Sequence, residues 1–172
     1  MPDYNSSYTG VEIDAAVLHH KSIGYMDYSD TGTAQSISAA TVTALTNDGN
    51  SVHSIHKPSN VTQLWNTTTD QFDWTDLKLG DTVMVRVDIS PETLSANTDI
   101  TVGMRLAVGG SSYTLNFLEE KPFKTATVHS NEIVLMEIFM GDTNTLNNPA
   151  EIVVEADKAI NISVNGWYIK VN

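Results

Sequence analysis

Residues 72–89, FDWTDLKLGDTVMVRVDI, decide the fold class. Gly80-Asp81 punctuates the chain, and beyond it Val83, Val85, Val87 and Ile89 alternate with Thr82, Met84, Arg86 and Asp88. Apolar residues at a spacing of two share one face of an extended strand, because successive side chains point to opposite sides of the pleat. The segment predicts a strand over 82–89 with a valine stripe facing a core. Arg86 and Asp88 fall on the other face.

Outward from this stretch the chain reads as strand, turn, strand. Candidate strands are 40–46, 61–65, 82–89, 99–108, 113–118, 123–129, 132–140, 151–155, 159–164 and 167–171. Two hairpins follow from parity. Asn165-Gly166 is a strong two-residue turn signal, and closing it there pairs Val164 with Trp167, Ile162 with Ile169 and Ile160 with Val171. Closing the chain at the GGSS run, residues 109–112, pairs Val108 with Tyr113, Leu106 with Leu115 and Met104 with Phe117. Arg105 then lies on a non-core face, where a cross-strand pair with Asp88 forms if the two strands are neighbours. So many strands, each with one buried face, require an antiparallel sandwich or barrel.

The first thirty residues differ. In YTGVEIDAAVLHHKSI, residues 8–23, Thr9 precedes Glu12 at capping-box spacing, and Ile13, Ala16, Val17 and His20 follow at helical spacing. The pattern predicts a short amphipathic helix, too short to be stable alone and in need of a surface. The Gly-, Ser- and Asp-rich stretch after it, residues 24–36, reads as a linker. The expected division is an N-terminal arm over 1–31 and a β domain over 32–172.

One strand is apolar on both sides. In EIVLMEIFM, residues 132–140, Ile133, Leu135 and Phe139 fill one face and Val134, Met136, Ile138 and Met140 the other. Such a strand is buried twice. Two covers remain open: a loop or the N-terminal helix of the same chain, or a neighbouring subunit.

Composition narrows the function. With 172 residues, 41% apolar and 17% charged, the chain folds rather than staying disordered. Nine Lys and Arg against 21 Asp and Glu give a formal charge of −12, which repels nucleic-acid phosphates and anionic membranes. No cysteine is present, so disulfides, thiolate metal sites and cysteine nucleophiles are excluded. No apolar run is long enough to span a bilayer, and the N-terminus lacks the basic and apolar regions of an export signal. Asn-x-Ser/Thr triplets begin at Asn5, Asn60, Asn66 and Asn161, a number expected by chance in a chain this rich in those residues.

Chemistry-bearing constellations are weak. His53 and His56 lie in a turn-rich stretch where a spacing of three has no fixed geometry, and no further ligands stand near them. Asp73 with Asp76, and Glu119 with Glu120, are carboxylate pairs without a recognisable cleft. No phosphate loop, nucleophile elbow or His-Glu zinc motif appears, so no enzyme, cofactor or metal is expected. Trp65 and Trp74 flank the polar loop NTTTDQFD, residues 66–73, and offer a stacking platform for host glycan if they are not core residues.

Taken in order, FDWTDLKLGDTVMVRVDI, then TDITVGMRLAVGGSSYTL at 98–115, then AEIVVEADKAINISVNGWYIKV at 150–171, resemble the jelly-roll domains of tailed-bacteriophage virion proteins. Decoration (cement) proteins, head fibres and receptor-binding tips share such domains, which are similar to the tumour-necrosis-factor-like trimeric sandwich. The resemblance implies an all-β, antiparallel jelly-roll β-sandwich with a short N-terminal helical arm. It also implies a homotrimer on the capsid surface of a virion, bound to the major capsid protein and stabilising the head. On that reading Tyr8, Val11, Ile13, Val17 and His20 anchor the arm to the capsid, and Val134, Met136, Ile138 and Met140 form the trimer interface. A receptor-binding tip or glycan-binding module, using Trp65 and Trp74, is the alternative. The short linker suits decoration better.

Overall fold

The valine stripe of 83–89 lies at the centre of a larger sandwich. The computed structural model describes Thr9, Val11, Glu12 and residues 23–172. The strands are β1 (Gly24–Ser29), β2 (Gln35–Ile37), β3 (Thr43–Ala44), β4 (Ser51–His53), β5 (Trp65–Asn66), β6 (Gln71–Phe72), β7 (Thr82–Thr93), β8 (Thr98–Leu106), β9 (Tyr113–Phe123), β10 (Glu132–Phe139), β11 (Glu151–Ala156) and β12 (Ile160–Val171). One sheet runs β10-β7-β12-β1-β4, with β2 also paired to β12, and the other runs β3-β11-β8-β9. Every pairing is antiparallel. After β7 the chain crosses to β8, returns after β9 to β10, and crosses twice more through β11 to β12. This is the double-sheet jelly roll.

The core lies between the sheets. Val83, Val85, Val87 and Ile89 from β7 meet Ile160, Ile162, Val164, Trp167, Ile169 and Val171 from β12, and opposite them stand Ile100, Val102 and Met104 of β8 and Ile152 and Val154 of β11. Burying one such side chain contributes roughly 1.5–3 kcal/mol. At one end an aromatic cluster closes the core. Phe72 stacks on Trp74 with centroids 5.3 Å apart, and Trp65 meets Phe72 edge-on at 4.9 Å and Trp167 at 5.8 Å.

Several expectations are revised. Residues 24–29 are not linker but β1, paired along its whole length with β12, so the sandwich begins at Gly24 rather than near Gly32. Met26 and Tyr28 of β1 are core residues, and the Tyr28 hydroxyl accepts the Leu64 N–H at 3.0 Å. No turn forms at Asn165-Gly166. Ile160–Val171 is one continuous strand with a bulge between Val164 and Gly166, and neither Asn165 nor Gly166 adopts the positive φ of a type I′ turn.

The β8–β9 hairpin exists, two residues out of the expected register. Leu106 pairs with Tyr113 and Met104 with Leu115, leaving a longer connection over 107–112. Its length follows from Ala107 (φ 55°) and Gly109 (φ 87°), both left-handed, and from Ser111, whose N–H donates to Asn144 Oδ1 at 3.1 Å. The segment 123–129 is connection rather than strand beyond Phe123. A short helix, Thr143–Asn147, was not expected. Its N-cap is Asp142, whose Oδ1 accepts the Thr145 N–H at 2.8 Å.

At the N-terminus the capping box is formed. Glu12 Oε2 accepts the Thr9 N–H at 2.6 Å and the Thr9 hydroxyl at 2.8 Å, while the Glu12 N–H points back to Thr9 Oγ1 at 3.4 Å. Hydrogen bonds from the Thr9 backbone and then its side chain hold the Glu12 carboxyl below its ordinary pKa. Val11 sits in this helical turn, exposed. Tyr8, Ile13, Val17 and His20 lie outside the described residues.

Candidate functional site

The two outer faces of the sandwich differ in chemistry. Over β8, β9 and β11 the outward side chains include Thr101, Arg105, Asn116 and Glu151, with Arg105 and Glu151 in an ion pair. That face is polar. The expected pairing of Arg105 with Asp88 does not occur, because β7 and β8 belong to different sheets. Arg86 instead holds Asp88 on its own strand, with Nε to Oδ1 at 3.0 Å and Nη2 to Oδ2 at 2.9 Å.

The other outer face, over β10-β7-β12-β1-β4, is apolar at one edge and aromatic at the other. On β10, Ile133, Leu135 and Phe139 are 58%, 59% and 62% exposed. The register then places Leu135 beside Arg86, Arg86 beside Tyr168, Tyr168 beside Asp27 and Asp27 beside His53. A second row runs from Glu137 through Met84 and Lys170 to Tyr25. Five strands at about 4.8 Å spacing make the face roughly 20 Å wide.

Ring contacts organise its far end. Tyr25 lies 5.2 Å from Tyr168, 5.3 Å from His56 and 6.2 Å from His53 between centroids. Arg86 stands over the Tyr168 ring at 5.4 Å, so one guanidinium joins the apolar edge to the aromatic one. Burial, with Tyr25 next in effect, pushes the Tyr168 phenol above its ordinary pKa. These rings and the guanidinium contact one another across the face.

This arrangement reverses the assignment within β10. Val134, Met136, Ile138 and Met140, expected at the trimer interface, are buried in the protomer's own core. The face left open is that of Ile133, Leu135 and Phe139. One signal for it was present in the sequence: Glu137 shares their parity, and a carboxylate marks the side that meets water before assembly. Tyr25 and Tyr168 were missed because residues 24–29 read as linker and Trp167-Tyr168 as the return arm of a hairpin.

Trp65 and Trp74 are corrected in the same way. Both are 1% exposed and belong to the core cluster, so neither ring offers a stacking face to a glycan. The Trp65 indole N–H donates to the Asn47 carbonyl at 2.9 Å, whereas that of Trp74 finds no acceptor among the described residues. The carboxylate pairs are also tied into structure: Asp76 Oδ2 accepts the Thr62 N–H at 2.6 Å, and Asp73 Oδ1 accepts the Thr75 hydroxyl at 2.7 Å. Glu119 and Glu120 lie at a bulge, with Glu120 at φ 45°. Among the described residues no group of three or more His, Asp or Glu is placed to hold a metal ion. Among them, too, no helix is long and apolar enough to cross a membrane.

The class defined by these features is a jelly-roll β-sandwich with one sticky outer face. No family model matches the chain, and no curated protein matches it. Among solved structures the chain is similar to infectious bursal disease virus Gt strain, with 14% identity over 83% of this chain and 33% of that one at a TM-score of 0.39. It is similar to the VP2 subviral particle of infectious bursal disease virus at 10% identity over the same shares, also at 0.39. It is similar to the CBM22-1-GH10 modules of Clostridium thermocellum xylanase 10B at 10% identity over 86% of this chain and 28% of that one, at 0.42. The chain thus spans about a third of the length of the structures it resembles.

Proposed function

We propose that the chain is a non-enzymatic capsid decoration protein, a homotrimer that sits on the virion surface, binds the major capsid protein and stabilises the head. One observation carries the self-association: three large apolar side chains, Ile133, Leu135 and Phe139, stand exposed in a row at the edge of an ordered sheet face. Large exposed apolar side chains gathered on one strand, with only Glu137 among them on that face, mark a partner's footprint. The fold, the acidic charge and the order of strand motifs support the virion reading, and they speak against nucleic acid and membrane as partners.

In this assembly the outer face of β10-β7-β12-β1-β4 meets the neighbouring copies, and residues 8–21 reach the capsid. The Thr9–Glu12 capping box supplies the start of the helix that the anchor needs. Light scattering of the purified protein tests the assembly, with a trimer mass expected at micromolar concentration and a monomer overturning it. Removing residues 1–22, which spares β1, tests the anchor by co-sedimentation with undecorated capsids. The truncated protein is expected to stay trimeric and to remain in the supernatant.

A further inference from the structure

The polar loop that Trp65 and Trp74 flank forms one wall of an open pocket. The pocket measures about 250 Å³ and lies between the β5–β6 hairpin and the short helix, with Asn66, Gln71, Phe72, Asp73, Leu146 and Asn147 among its walls. Both walls are fixed. Phe72 N–H donates to the Ala150 carbonyl at 2.7 Å and Ala150 N–H returns to the Phe72 carbonyl at 3.3 Å, joining the hairpin to the chain that follows the helix. The hairpin loop is closed by Asn66 Oδ1, which accepts the Thr68 N–H at 2.9 Å and the Thr69 N–H at 3.3 Å. The helix is capped by Asp142 and tied to the β8–β9 connection by Asn144, whose Nδ2 donates to the Ser111 carbonyl at 3.0 Å. A pocket held this way is formed before a ligand arrives.

Its chemistry excludes ions. Among the described residues no Lys, Arg or His lines it, and the net charge of −12 disfavours an anion. The one carboxylate, Asp73, already uses Oδ1 on Thr75 and Oδ2 on the Gln63 amide, which leaves no multidentate site for a cation. Half-buried Gln71 and exposed Asn147 line the pocket, and the side-chain amide of each takes no partner among the described residues. An amide offers a donor and an acceptor side by side, the pattern that vicinal hydroxyls complement. Leu146 and Pro149 add an apolar wall.

We propose that this pocket binds one neutral sugar ring, held by the Gln71 and Asn147 amides against Leu146 and Pro149. The cleft is open on one side and its volume lies below the roughly 300–1,000 Å³ of pockets for larger ligands, so it seats a single ring rather than a chain. This site is separate from the self-association face and does not depend on it. It differs from stacking on an indole face, since Trp65 does not line the pocket and Trp74, which does, is only 1% exposed.

The test is a titration of the isotope-labelled full chain with glucose, galactose and mannose, read by amide resonances in NMR. At least one sugar is expected to shift the Gln71 and Asn147 side-chain signals saturably, with a dissociation constant on the order of millimolar, as three or four net hydrogen bonds give. Gln71→Ala and Asn147→Ala each weaken that binding by about three- to tenfold. Leu135→Glu leaves it unchanged, which separates the pocket from assembly. Three results overturn the proposal: no saturable shift with any of the three sugars, shifts that map elsewhere, or the same response to glycerol at equal concentration. The wild-type titration decides even where a variant fails to fold.

Discussion

Gly166 of β12 packs on the backbone of Tyr28 in β1, and a Cβ at Gly166 would stand 2.7 Å from the Tyr28 carbonyl oxygen and 3.3 Å from Ser29 Cα. Its glycine is required for close approach of two backbones, not for a turn. Gly166→Ala is expected to push β1 away from β12 and cost about 1–3 kcal/mol, typical of overpacking. Urea unfolding followed by tryptophan fluorescence measures it. An unchanged midpoint would mean the two strands part without penalty.

The same glycine explains how far the sequence could be read. Apolar residues fall on even positions from Ile160 to Val164 and on odd positions from Trp167 to Val171. A two-residue hairpin and a one-residue bulge both reverse the phase at this point, so parity alone fits either. What selects the bulge is tertiary: β12 pairs with β7 from Ile160 to Val171, and on its other side with β2 over Ile160–Ile162 and with β1 over Gly166–Val171. The strand at 82–89 was legible because its alternation is unbroken and its turn at Gly80 (φ 95°) is local. The outer face was less so, since its members come from five strands whose neighbours no single stretch of sequence reveals.

Trp65 illustrates a core residue that resembles a binding residue. Trp65→Ala is expected to cost about 3–5 kcal/mol, by emptying the space between Phe72 and Trp167 and leaving the Asn47 carbonyl without its donor. The measurement is again chemical unfolding. A variant as stable as the parent would return Trp65 to the surface and reopen its role in stacking.

Acid is expected to loosen the loops before the sheets. At Asp142 the Thr145 N–H is the largest influence and holds the carboxyl below its ordinary value. At Asp73 burial opposes the charge, but bonds from the Thr75 hydroxyl and N–H and from the Gln63 amide outweigh it, and that carboxyl is lowered too. Both groups have folded pKa values below their unfolded ones, so their stabilisation is present above the unfolded carboxyl pKa of about 4 and is lost as pH falls through the folded values. Protection of the Thr75 and Thr145 amides against hydrogen exchange, measured relative to the free amide at the same pH, should fall below about pH 4 while β7 and β12 stay protected. Asp142→Asn is expected to reduce the pH dependence at Thr145 alone.

The exchange of faces within β10 gives the sharpest contrast, because neighbouring residues make opposite predictions. Leu135 points outward beside Arg86, so Leu135→Glu places a charge on the proposed contact without disturbing the core. The variant is expected to sediment as a monomer whose unfolding free energy stays within about 0.5 kcal/mol of that of a dissociated parent protomer. Met136, one residue on, faces Val85 across the inner side of the same strand pair. Met136→Ala should cost about 2–5 kcal/mol of protomer stability and leave the oligomer mass unchanged at temperatures where it remains folded. Analytical ultracentrifugation and urea titration on the two variants separate the cases. If Leu135→Glu assembles like the parent, the copies meet elsewhere and the apolar row on β10 needs another partner.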